Sequence, residues 1–78
     1  MKNMDEAAKK LYKITGENIK RIRQSKGMSL EEVSQKTGMN TQYLNKIEEG
    51  IAFRFNILQL KEIADLLNVY LEDLLKGD

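Results

Sequence analysis

The segment from Ser29 to Gly50 constrains the fold more than any other part of the chain, because it places two helix starts and two helix stops in a very short span. Ser29 followed by Glu32 is a capping box, in which the serine oxygen takes the third amide and the glutamate reaches back. The helix so opened is expected to run to about Thr37, where Gly38 supplies the left-handed residue that a tight turn needs. Asn40 or Thr41 then caps a second helix through Tyr43, Leu44 and Ile47 to Glu49, and Gly50 stops it. Val33, Met39, Leu44 and Ile47 are the apolar positions at which one helix would lean on the other.

The flanking segments carry the same period. From Glu17 to Lys26, Ile19 and Ile22 mark an apolar face on an otherwise basic helix, and Gly27 sits where a C-cap glycine belongs. Beyond Gly50 comes an apolar loop, residues 51–56, without proline. Ile57, Leu60, Ile63, Ala64, Leu66 and Leu67 then follow helical spacing to a break at Asn68 and Val69, after which Leu71, Leu74 and Leu75 mark a last short helix. The expected fold is all-α, a compact bundle of five short helices over residues 15–76. Residues 1–14, with Ala7, Ala8, Leu11, Tyr12 and Ile14, form an arm or an extra short helix ahead of it.

Composition removes whole classes of function. The chain has 78 residues, enough for one domain with one small core. It has no cysteine and no histidine, which rules out disulfides, Cys/His zinc sites and histidine catalysis. Acidic neighbours such as Glu31 and Glu32, or Glu48 and Glu49, point different ways around a helix and do not converge on a substrate. No glycine-rich phosphate loop is present, so neither catalytic residues nor cofactors nor metals are expected. No apolar run is long enough to span a bilayer, and the absence of cysteine suits a cytoplasmic protein. No second unit is legible, so control through concentration, a partner or proteolysis is expected.

Net charge is only +1, but it is unevenly placed. Counting from the sequence, residues 1–16 hold four lysines against two acids, residues 17–50 six bases against five acids, and residues 51–78 three bases against five acids. Positive charge therefore leans to the N-terminal half, as expected if that half faces phosphates. Together with a short glycine turn and a polar second helix, this is how side chains are offered to the major groove of DNA.

The ordered set of motifs resembles the lambda-repressor-like helix-turn-helix family. The set is Ile19, Ile22, Arg23 and Gly27; Ser29, Glu31, Glu32, Val33 and Gly38; Tyr43, Leu44, Ile47, Glu48 and Gly50; and Leu60, Ile63, Ala64, Val69, Leu71 and Leu74. The resemblance implies a transcription regulator, here expected to repress, that binds double-stranded DNA as a homodimer. It makes the helix 41–49 the recognition helix, with Asn40, Thr41, Gln42, Asn45 and Lys46 reading bases. Glutamine and asparagine suit adenine, threonine the thymine methyl, and lysine guanine or phosphate. Phosphate contacts are implied for Ser29 at a helix N-terminus, for Arg54 in the following loop, and for Lys20. Tyr43 either joins them or packs its ring across the helix pair. Arg23 and Glu48 match a buried structural ion pair of the family.

Two departures leave a second reading open. Relatives commonly carry a glutamine after the capping serine, where this chain has Leu30, and polar residues with a proline after the recognition helix, where this chain has Ile51, Phe53 and Phe55. Phe53, Phe55, Leu71 and Leu74 offer a homodimer surface, although in so small a domain such leucines are more often core closure than interface. The 51–55 loop could instead take a protein partner. The alternative is thus an interaction module on the same scaffold: an antirepressor, a toxin–antitoxin component, or a cytoskeletal adaptor like the cytoplasmic domain of the rod-shape protein RodZ, which resembles this chain at Leu30–Val33 and Tyr43–Glu48.

Overall fold

A single helix runs from Glu6 through Gly16 to Ser25. The computed structural model describes residues 6–53 and 55–77, which form α1 (Glu6–Ser25), α2 (Leu30–Thr37), α3 (Thr41–Glu49), α4 (Ile57–Leu67) and α5 (Leu71–Leu75), with no strand among the described residues. The extra helix ahead of the bundle is therefore not a separate element: residues 6–14 are the opening turns of α1.

Gly16 stands in the middle of α1 because of what packs against it. A mid-helix glycine costs about 0.5–1 kcal/mol relative to alanine. Here it is buried at a helix crossing, where an added Cβ would stand 2.6 Å from the Glu48 carbonyl oxygen and closer still to that of Ile47. Lacking a side chain, α1 backs directly onto the C-terminal end of α3.

The remaining boundaries follow from local chemistry. Ser29 accepts the Glu32 amide at 3.0 Å, the serine half of the expected capping box. Gly38 at φ 78° closes α2 in the left-handed conformation. The turn between α2 and α3 is tied from both sides: Ser34 donates to the Met39 carbonyl, and the Thr37 hydroxyl accepts the Met39 amide at 3.2 Å. Asn40, not Thr41, caps α3, taking the amides of Gln42 and Tyr43 at 2.7 and 3.3 Å. Asn56 and Gln59 form a reciprocal capping box on α4, which ends at the left-handed Asn68.

One core holds these helices together. Val33, Met39, Leu44 and Ile47 meet Ile19, Leu60, Ile63, Ala64, Leu67 and Leu74, and of these Ile63, Leu67 and Leu74 are fully enclosed. At roughly 1.5–3 kcal/mol for each large side chain buried, this cluster is the main force holding α4 and α5 under the α2–α3 pair. Asn18, which its sequence context did not mark, fastens α1 to the end of α5 by donating to the Leu74 and Lys76 carbonyls at 3.0 and 2.9 Å.

Candidate nucleic-acid interface

The outer side of α3 is set by what its inner side must bury. Leu44, Ile47 and Glu48 face inward, which leaves Gln42, Asn45, Lys46 and Glu49 exposed and Thr41 half-exposed on the opposite side. A shallow groove runs along these residues, bordered by Leu30 and Glu31 at the start of α2 and by Ile51 beyond the end of α3. Helix α3 thus carries a row of amide and ammonium groups that nothing in its own fold covers.

The attitude of this helix is locked from behind. Arg23 donates from Nε to Glu48 Oε2 at 2.6 Å and from Nη2 to Oε1 at 3.1 Å, with a third bond from Nη1 to the Met28 carbonyl at 2.7 Å. The two side chains are only 10% and 4% exposed. The hydrogen bond to Glu48 holds the guanidinium above its already high pKa, against the opposing effect of burial. A bidentate pair in this setting fixes orientation as well as distance. It joins α1 and α3 as the resemblance implied.

The expected contact residues are distributed unevenly. Gln42, Asn45 and Lys46 share the open face, with Thr41 at its edge. Asn40 is exposed beside them, but its side-chain oxygen is engaged in capping. Ser29 is exposed at the N-terminus of α2, and Lys20 lies exposed on α1. Tyr43 turns toward α4, where its hydroxyl donates to Gln59 Oε1 at 3.0 Å, so its ring packs within the fold. Burial pushes its phenol above the ordinary pKa. Arg54 lies outside the described residues.

The expected homodimer residues need correction. Leu74 is completely enclosed in its own core and has no surface to offer a partner. Leu71 and Phe55 are half-buried against that core, and only Phe53 is well exposed. The period of the sequence shows which residues are apolar, but not which side of so short a helix as α5 is covered. Large apolar side chains that do stand in solvent include Ile57 and Leu58, in the first turn of α4.

Two contributors went unrecognised in the sequence. Tyr12 donates its hydroxyl to the Phe53 carbonyl at 3.0 Å and meets the Phe53 ring edge-on, with centroids 5.3 Å apart. Gly16 sets the approach of α1 to α3. Neither has a sequence signal of its own, since a tyrosine in a helix and a glycine between two apolar stretches look ordinary until their partners are known.

The helix-turn-helix family model matches residues 19–74, most of the chain. The chain belongs to the lambda-repressor-like helix-turn-helix family. It is 39% identical over 61 residues to the HTH-type transcriptional regulator y4dJ of Sinorhizobium fredii, across 76% of this chain and 75% of that one. It is 35% identical over 60 residues to the HTH-type transcriptional regulator SinR of Bacillus subtilis, of which the match spans 54%, against 77% of this chain. The restriction–modification controller protein C.AhdI of Aeromonas hydrophila superposes with a TM-score of 0.75 over 81% of this chain and 94% of its own, at 21% identity, a likeness of fold. Membership of this family makes the chain a DNA-binding transcription regulator. Among the described residues no helix is long and apolar enough to cross a membrane.

Proposed function

We propose that α3 enters the major groove and reads base edges with Gln42, Asn45 and Lys46, Thr41 meeting a thymine methyl at the edge of the contact. The observation that carries this reading is the uncovered polar side of α3, backed by the buried Arg23–Glu48 pair. A helix held this rigidly loses little freedom on docking, which favours discrimination between sequences. Ser29 and the free amides of α2 suit a phosphate, as helix N-termini do, with Lys20 and Arg54 as further backbone contacts.

The protein acts as a homodimer in the cytoplasm, with no catalytic step, no cofactor and no metal. Two recognition helices meet half-sites about 34 Å apart, one helical turn of DNA. Phe53, Ile57 and Leu58 are the exposed apolar residues best suited to the contact between copies. Bound across a promoter, such a dimer represses by occlusion.

A second reading rests on the same exposed residues. Ile51 and Phe53 give the 51–55 loop an apolar surface that would suit a protein partner. The deciding experiment is selection of duplexes from a random pool, followed by footprinting of the winner. The DNA reading expects two protected half-sites one turn apart and affinity that falls steeply with salt. No enrichment over random DNA would transfer the proposal to the protein partner.

A further inference from the structure

The reading face is poor in the charge that DNA binding needs. Among the described residues Lys46 is its one cation, and Glu31 and Glu49 border the same groove. Most affinity for a duplex comes from cations that displace counterions from phosphates, so the attraction has to be supplied by other surfaces.

The opening turns of α1 are placed to supply it, and they precede the segment 19–74 matched by the family model. At Gly50, where the chain leaves α3 with φ 79°, an added Cβ would stand 2.7 Å from Lys13 Cα. Lys13 is therefore seated against the end of the recognition helix, and the next residue along, Ile51, borders the reading groove. Lys9 lies one turn before Lys13 on the same side of the helix, and both are exposed. Tyr12 pins this part of α1 to the loop after α3, through its bond to the Phe53 carbonyl and ring contacts at 5.3 and 6.2 Å to Phe53 and Phe55.

We propose that Lys9 and Lys13 form a phosphate-contacting edge on double-stranded DNA, flanking the bases read by α3 and held in place by Tyr12. The inference rests on the groove-reading role of α3 and assigns to residues 6–14 the affinity that α3 lacks. A rigid helix does this at smaller entropic cost than a loose arm, because the ammonium groups are already placed.

Exposed lysines on a helix are ordinarily just solvated, and the salt dependence of binding separates the two cases. The test uses the full chain and a duplex selected by it from a random pool, with affinity measured at several salt concentrations. Each phosphate contact contributes about 0.9 to the slope of log affinity against log salt. The double variant Lys9→Gln, Lys13→Gln is expected to lose a slope of about 2 and roughly 30-fold in affinity at 0.15 M salt, with sequence preference unchanged. Lys61→Gln, exposed on α4 and paired with Asp65, is expected to keep the slope. Tyr12→Ala is expected to weaken binding with preference retained, its thermal melt confirming the fold.

An unchanged slope in the double variant, or an equal loss in Lys61→Gln, would overturn the edge while leaving the role of α3 intact. A parent protein that binds no duplex in a salt-dependent way would remove the role of α3 itself, and the edge with it.

Discussion

Helices α1 and α3 lie back to back yet present opposite chemistry to solvent. The outer side of α3 holds amides, one ammonium group and a bordering carboxylate at Glu49, while the exposed side of α1 carries Lys9, Lys10, Lys13, Lys20 and Arg21 against Glu6 and Glu17. Amides form directional bonds that distinguish base edges, whereas lysines respond to phosphate charge regardless of sequence. On the proposed reading, discrimination and attraction fall to different helices, which must then be joined rigidly to act together. The Arg23–Glu48 pair and the bare backbone at Gly16 are that joint.

Cutting the joint should have the largest effect. Glu48→Ala strands the Arg23 charge in a nearly dry site and is expected to cost about 3–5 kcal/mol. For a domain of this size that lowers the melting temperature by roughly 12 °C or more in a circular dichroism melt. Glu49→Ala, one residue along but exposed, is expected to stay within about 0.5 kcal/mol of the parent. Equal melts for the two would mean that α1 and α3 are not joined in this way.

Next comes the close approach itself. Alanine at position 16 would gain up to about 1 kcal/mol of helix propensity, but its Cβ would meet the backbone carbonyls of α3. The contact should win, because backbone cannot rotate aside as a side chain does, giving a net loss of about 1–3 kcal/mol by urea denaturation. A more stable Gly16→Ala protein would show that the two helices can separate freely.

Lys46→Ala addresses the reading side alone. It should cost about 1–3 kcal/mol of discrimination at one base position and leave the thermal melt unchanged, since Lys46 is exposed. Uniform weakening across all sequences would reassign Lys46 to phosphate and blur the division between the two helices.

The smallest expected effect is a pH dependence. Burial raises the Tyr43 phenol above its ordinary value of 10.0, so the folded state favours the neutral form. The stability this contributes is complete below the unfolded pKa and is lost as pH rises through the higher folded one. Between neutral pH and the strongly alkaline range the parent should lose up to about 1 kcal/mol more than Tyr43→Phe, which has no hydroxyl to ionise. Parallel stability curves would mean that burial does not disfavour the ionised phenol in the folded state.

Much of this was legible in the residues, and the reason is local. Ser29, Gly38 and Asn68 act through neighbours three or four residues away, so their caps and turns can be placed from sequence. The open face of α3 follows from the apolar spacing of Leu44 and Ile47. The Arg23–Glu48 pair, 25 residues apart, was accessible only through resemblance to a family. Tyr12 meets the Phe53 carbonyl across 41 residues, and Asn18 meets Leu74 across 56, and neither spacing carries a local signal. Gly16 carries no local signal either: only the partner packed on it shows why a glycine stands mid-helix. Leu74 failed as an interface residue because Leu71, Leu74 and Leu75 share the apolar side of a five-residue helix, and their spacing does not say which of them the core covers.

The central claim is that α3 reads bases, and the most direct measurement compares the duplexes enriched from one random pool by the parent and by Gln42→Ala. The expected result is a defined site for the parent and, for the variant, relaxed preference at a single position in each half-site with the rest retained. Identical enriched sequences from the two proteins, with equal affinity, would contradict it.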